Sequence, residues 1–239
     1  VLARAFAVFD SARPRPVHIE IPLDVLVEPA DFLLPGRPVR GSRAGAAPQA
    51  VAQMAERLAS ARRPLILAGG GALAAGAALA RLAEHLQAPV ALTINAKGLL
   101  PASHPLQIGS TQSLPATRAL VAEADVVLAI GTELAETDYD VTFAGGFEIP
   151  GKLLRIDIDA DQTVRNYPPH VALVSDSRNA AQALLNALSH KSLAERRVLL
   201  NKEAVAYYES VTDFVVAEVD GRIVGCGALH VLWEDLGEV

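Results

Sequence analysis

Pro64-Leu65-Ile66-Leu67-Ala68-Gly69-Gly70-Gly71 is the stretch that decides the fold. Its five leading residues carry no charge and no alternation, which predicts a short strand buried on both faces, and three glycines end it. A helix is expected over 72–86 and a second strand over 89–93. The same grammar recurs downstream. A helix over 113–124 leads into a strand over 125–130 that closes in Gly131-Thr132. Strands follow over 152–158 and 171–174, then a helix over 177–188 with Asp176 where an N-cap belongs. Upstream, 50–61 also reads as helix. Short apolar strands alternating with longer helices make parallel βαβ units, because a parallel crossover needs a helix. The expected class is α/β: a Rossmann-like, doubly wound parallel sheet with a partial antiparallel α+β piece at the C-terminal end.

Working outward, residues 1–10 are apolar at helical spacing, and Val17-His18-Ile19-Glu20-Ile21 alternates as a half-buried strand before Pro22 stops it. From Leu26 to Pro48 lie four prolines, three glycines and three arginines without apolar periodicity, as a linker would have. Beyond the regular region, 193–208 reads as a charged helix. Phe214–Val219 and 222–231 read as two strands joined by the two-residue turn Asp220-Gly221. The expected organisation is therefore a leading piece at 1–27, a linker at 28–47, a Rossmann-like domain at 48–190 and a distinct segment at 191–239. The chain opens at Val1, its only Met is Met54, and it reads as a piece of a longer protein.

Composition narrows the function classes. Of 239 residues, 21 are Lys or Arg against 27 Asp or Glu, and the net charge of −6 argues against a nucleic-acid surface. No run reaches the roughly 18 apolar residues of a membrane span. One cysteine rules out an intrachain disulfide framework or a multi-cysteine zinc site, and suits a reducing cytoplasm.

Three strand ends can carry chemistry. Gly69-Gly70-Gly71 joins a buried strand to a helix, where backbone N–H groups and the helix dipole can hold a diphosphate. The same glycines equally suit a tight turn that admits only small residues. In Ile156-Asp157-Ile158-Asp159, a carboxylate at the sheet's carboxyl edge can accept ribose hydroxyls. Asp159 also stands where it would cap a helix beginning near Ala160, and Asp157 is open between roles. Gly131-Thr132-Glu133 ends a further strand, and Asp138, Asp140 and Glu148 follow in a loop whose carboxylates are expected to be solvated. The chain shows no nucleophile elbow, no P-loop and no paired-histidine metal motif.

These residues resemble a known family. Arg15-Pro16-Val17-His18-Ile19-Glu20-Ile21-Pro22-Leu23-Asp24-Val25 is similar to the end of the pyrimidine-binding domain of thiamine-diphosphate enzymes of the acetolactate synthase type. Arg63–Gly71, Ala88-Pro89-Val90, Asn95-Ala96-Lys97-Gly98, Ala124–Thr132 and Leu154–Asp159 resemble that family's central domain, in the same order, and Ser175-Asp176-Ser177 closes the set. The resemblance implies a parent enzyme, a homo-dimer or homo-tetramer, that uses thiamine diphosphate and Mg²⁺ to decarboxylate a small 2-oxo acid. In it the coenzyme is the electron sink. The family's catalytic and metal-binding motifs belong to its other domains, so this chain is expected to hold no catalytic residue and no metal ligand. What the resemblance does carry over is a nucleotide crevice, which holds FAD in acetolactate synthases. The matching positions are Gly69, Gly70, Gly71, Gly131, Thr132, Asp157, Ile158, Asp159, Asp176 and Ser177. Flavin-containing members carry an arginine-rich stretch after the Gly131 position, where this chain has Glu133-Leu134-Ala135-Glu136-Thr137-Asp138. FAD, or another nucleotide in its place, is expected to bind weakly or not at all, because an acidic loop disfavours a diphosphate. That loop also resembles bacterial decarboxylases of arginine-derived 2-oxo acids.

The C-terminal stretch resembles something else. Arg197–Lys202, Phe214–Glu218 and Gly225–Leu236 are similar to the amino-terminal part of GNAT-type N-acetyltransferases, close to N-acetylglutamate synthase. This implies a gene fusion or an artefactual junction, with acetyl transfer as one alternative reading and a non-catalytic nucleotide-binding or structural domain as the other.

Overall fold

The computed structural model describes residues 1–11, 13–29, 41–135, 148–194, 214–219, 222–228, 230–233 and 236–238. The uncharged run Pro64–Ala68 forms β1, and all five of its residues are buried. Side chains of a strand alternate between faces, so continuous burial means both faces of the sheet are covered there. β1 pairs in parallel with β2 (Val90–Leu92) on one side and β4 (Val126–Ile130) on the other. β3 (Gln107–Gly109) extends the sheet beyond β2, while β5 (Lys152–Asp157) and β6 (Val171–Val174) extend it beyond β4. The resulting order is β3-β2-β1-β4-β5-β6, all parallel, which is the doubly wound arrangement expected from sequence. The chain winds outward from β1, then returns to start β4 at its other edge. A crevice opens where the winding reverses, between the carboxyl ends of β1 and β4.

Seven α-helices lie among the described residues. In chain order they are α1 (Leu2–Ser11), α2 (Leu23–Leu26), α3 (Pro48–Ser60), α4 (Gly76–Leu86), α5 (Pro115–Glu123), α6 (Ala160–Val164) and α7 (Ser177–Leu188). α3 buries Val51, Met54, Ala55, Leu58 and Ala59, the three-and-four spacing of a single helical face. α7 buries Ala180, Ala181, Leu184, Leu185 and Leu188, and it packs against both α3 and α4. Asp176 caps α7 as expected, its Oδ1 accepting from the N–H groups of Arg178 (3.0 Å) and Asn179 (3.4 Å). At the opposite edge of the sheet, the Asp125 carboxylate accepts from the N–H groups of Arg62 (2.7 Å) and Arg63 (2.9 Å), tying the starts of β1 and β4 together.

Several expectations change. The helix expected over 72–86 divides into a 3-10 helix at Gly70–Ala75 and α4 from Gly76, where a side chain would press on the Leu99 carbonyl at 2.9 Å. The alternating run at 17–21 is extended but pairs with no strand among the described residues, and Ile21 is 54% exposed. Alternation marks faces, yet a strand also needs a neighbour to bond. β3, only three residues long, has no periodic signal to announce it.

The chain divides into two compact units, Val1–Arg197 and Val198–Val239. In the second, β7 (Phe214–Val219) pairs antiparallel with β8 (Arg222–Ala228), Val219 opposite Arg222. β9 (His230–Trp233) pairs antiparallel with β10 (Leu236–Glu238), so the single strand expected over 222–231 is two. The helix expected over 193–208 and the turn Asp220-Gly221 lie outside the described residues.

Candidate functional site

Because the strands are parallel, the ends of β1, β4, β5 and β6 all reach one edge of the sheet. A cavity of about 430 Å³ opens there, lined by Gly69, Gly70, Gly71, Gly131, Thr132, Asp157 and Ile158, with Arg13, Thr93, Asn95 and Glu133 among their neighbours. An adjoining cavity of about 360 Å³ shares Gly70, Gly71, Gly131, Asp157 and Ile158 and adds Asp176 and Ser177. Both are of a size that takes a small ligand. Of the ten positions matched to the family's crevice, Asp159 alone lines neither cavity. Its Oδ1 accepts from the Asp161 N–H at 3.0 Å as the N-cap of α6, and its Oδ2 accepts from Arg15 at 2.8 Å.

The glycine turn is a packing device. Gly69 N–H donates to the Ile130 carbonyl (2.9 Å), Gly71 N–H to the Gly131 carbonyl (3.0 Å) and Ala72 N–H to the Gly69 carbonyl (2.9 Å). A Cβ on Gly69 would overlap the Gly131 carbonyl and Thr132 Cα, and one on Gly71 would lie 3.0 Å from Gly131 Cα. Gly131 itself sits at φ +61°, the left-handed region that favours glycine. Of the two roles open to these glycines in the sequence, the tight turn accounts for this close backbone contact. Two of the three amides that would cradle a diphosphate are committed to β4 and its turn. Ser177 Oγ donates to the Gly71 carbonyl at 2.7 Å, fastening the start of α7 to the same turn.

Sequence reasoning missed the residue that shapes the crevice lip. Arg155 interrupts the apolar run of β5 and is 1% exposed. Its guanidinium donates to the carbonyls of Thr132 and Glu133, both at 3.2 Å, and to those of Arg165 and Tyr167. Asn166 Nδ2 adds a bond to the Leu134 carbonyl at 3.0 Å, and Leu134 and Asn166 both hold positive φ. The available signal was a lone cation within an otherwise apolar buried strand, since such a charge is buried only when it is hydrogen-bonded.

Three arginines from the first 43 residues meet carboxylates along this edge. Arg13 pairs with Glu133 after β4, Arg15 with Asp159 after β5, and Arg43 with Asp176 after β6. The linker also contributes backbone here: the Ala44 carbonyl accepts from Asp176 N–H, Ser175 Oγ and Asn179 Nδ2. These contacts set the carboxyl equilibria. The hydrogen bond from Arg15 holds Asp159 below its ordinary pKa. Burial pushes Asp176 up, but the Arg43 guanidinium and the two helix amides outweigh it and leave the carboxyl below its ordinary range. Asp157 goes the other way. Burial raises its pKa, against smaller opposition from the Asp159 N–H, Arg13 and Arg155.

Among the described residues no group of three His, Cys, Asp or Glu side chains is placed to hold a metal ion. Asp138 and Asp140 lie outside the described residues. Among those described, no helix is long and apolar enough to cross a membrane.

Residues 51–184 match the family model described as thiamine pyrophosphate enzyme, central domain. The chain is 47% identical over 196 residues to the Pseudomonas aeruginosa protein named "Probable 2-ketoarginine decarboxylase AruI", covering 80% of this chain and 34% of that protein. It is 30% identical over 200 residues to the acetolactate synthase isozyme 1 large subunit of Escherichia coli, covering 82% of this chain and 35% of the relative. Among solved structures, benzoylformate decarboxylase from Polynucleobacter necessarius superposes with a TM-score of 0.64 at 25% identity, over 82% of this chain and 36% of that one. Nothing in these matches supports the acetyltransferase resemblance of the C-terminal stretch, and acetyl transfer is not favoured. The chain spans about a third of the length of the curated relatives it matches. On the family match, the shared sheet and the crevice at its reversal point, this chain belongs to the thiamine pyrophosphate enzymes and has the fold of their central domain.

Proposed function

We propose that the protein carrying this chain is a thiamine-diphosphate- and Mg²⁺-dependent decarboxylase of a small 2-oxo acid with a guanidino tail, and that this chain is its central domain. The observation that carries the substrate class is the 47% identity to the protein named "Probable 2-ketoarginine decarboxylase AruI", against 30–32% to proteins named as acetolactate synthases over a similar span. A leading piece at 1–27 belonging to a preceding domain is supported by Leu23, Leu26 and Val27, which are 62–82% exposed and would need a covering surface. A cytoplasmic homo-dimer or homo-tetramer completes the proposal, and the single cysteine suits that compartment. Within the domain, the crevice of Gly69, Gly70, Gly71, Gly131, Thr132, Asp157, Ile158, Asp176 and Ser177 is the ligand site. Its support is its place at the reversal of strand order and the buried carboxylate of Asp157.

The test is carbon dioxide release by the gene product containing this chain, assayed with 2-ketoarginine and with pyruvate. Turnover of 2-ketoarginine that requires added thiamine diphosphate and Mg²⁺, with pyruvate poorly used, is expected. Preferential conversion of pyruvate to acetolactate would overturn the substrate class.

A further inference from the structure

The larger of the two crevice cavities has a cation on its wall that already has an anion. Among the described residues Arg13 is the sole basic side chain lining it, and its guanidinium is paired with the Glu133 carboxylate. Each side chain of the pair is about one-third exposed, at 34% and 35%, so the pair is partly desolvated on the cavity wall. Glu133 is presented there by a fixed backbone, because Arg155 holds the carbonyls of Thr132 and Glu133 and Asn166 holds that of Leu134. The N–H groups of Gly69 and Gly71 are spent on β4 and its turn. Arg15 and Arg43 are bonded to Asp159 and Asp176. A phosphate entering this space would have to draw Arg13 from Glu133 and then sit beside two carboxylates, Glu133 and Asp157. Like charges in a partly desolvated cleft repel strongly.

We infer that Glu133 sets the ligand class of the crevice: by holding Arg13 it excludes phosphate-bearing nucleotides, and the crevice takes a phosphate-free, hydroxyl-bearing guest of the nucleoside type. Sugar hydroxyls of such a guest donate to Asp157, while Thr93 and Asn95 supply further polar groups on the same wall. This rests on the reading of the crevice as the ligand site of the domain, and the experiment separates the two.

Adenosine and ADP are titrated calorimetrically into the full 239-residue chain, as wild type, Glu133→Gln, Glu133→Ala and the double variant Arg13→Gln/Glu133→Gln. Both single variants remove a part-exposed carboxylate, and thermal melts confirm that each is folded. ADP is expected to bind wild type more weakly than adenosine. Freeing Arg13 should tighten ADP about tenfold or more, the scale of one charge-assisted hydrogen bond. The double variant should lose that gain. If ADP binds wild type at least as tightly as adenosine, or if neither single variant improves ADP while adenosine still binds, the inference is overturned and the crevice reading stands. If neither ligand binds any variant, the crevice reading fails and takes the inference with it.

Discussion

The Gly71 N–H of the β1 turn donates to the Gly131 carbonyl of the β4 turn at 3.0 Å. With the Gly69 N–H bond to the Ile130 carbonyl, it continues the β1–β4 pairing past the strand ends and holds the two turns together where strand order reverses. Gly69 is packed still more closely, its Cα side facing the Gly131 carbonyl and the Thr132 backbone. The turn has no room for a methyl group at 69, whereas at 70 the nearest atom is Asn95 Cβ at 3.0 Å, a milder approach than the backbone overlap at 69.

Gly69→Ala should therefore lose about 2 kcal/mol or more in urea denaturation, within the cost of forcing extra volume into a packed site. Gly70→Ala should stay within about 1 kcal/mol of wild type. Equal losses at the two positions would contradict the packing role assigned to Gly69.

Arg155→Met would strip the donor from the carbonyls of Thr132, Glu133 and Arg165 while keeping most of the side-chain volume. A loss on the order of 3 kcal/mol is expected from leaving buried acceptors unmade. Arg155→Lys should recover little of it, because an ammonium lacks the fork that serves two pairs of carbonyls at once. Full recovery by lysine would show that charge alone, without geometry, is what the site uses.

Asp176→Ala removes the cap of α7 and should cost about 1–2 kcal/mol at neutral pH, with Asp176→Asn milder because its amide oxygen still accepts from the helix amides. The folded carboxyl titrates below its ordinary value, so its stabilisation is present above the unfolded pKa and disappears as pH falls through the folded one. The gap between wild type and Asp176→Asn should accordingly narrow in acid, as followed by melting temperature.

Asp157→Asn should behave oppositely. Its folded pKa is raised by burial, so the stabilisation that protonation gives is complete below the unfolded pKa and is lost as pH rises through the folded value. A neutral amide there should raise the melting temperature at pH 7 by a few degrees, and the increment should vanish in acid. A variant less stable than wild type at neutral pH would mean that the carboxylate is held by interactions stronger than its burial.

What could be read in advance follows from what each feature demands of the chain. β1 and β4 were legible because burial on both faces requires an unbroken apolar run, and Pro64–Ala68 and Val126–Ile130 supply it. Asp159 and Asp176 were legible as caps because a cap acts within three residues of its own helix. The three arginine–carboxylate pairs were not, since Arg13 reaches Glu133 across 120 residues and no local pattern encodes such a partner. Ala44 is the extreme case: its carbonyl meets three donors around Asp176, and an alanine in a glycine- and proline-rich linker gives no hint of it.

The decisive measurement is amide chemical-shift mapping of the isotope-labelled chain titrated with adenosine. If the glycine turns and Asp157 form one ligand crevice, shifts concentrate at Gly70, Gly131, Asp157 and Ser177, which line the two adjoining cavities. Shifts centred instead on Arg62, Arg63 and Asp125 at the opposite edge of the sheet, or no shifts at saturating adenosine, would contradict it.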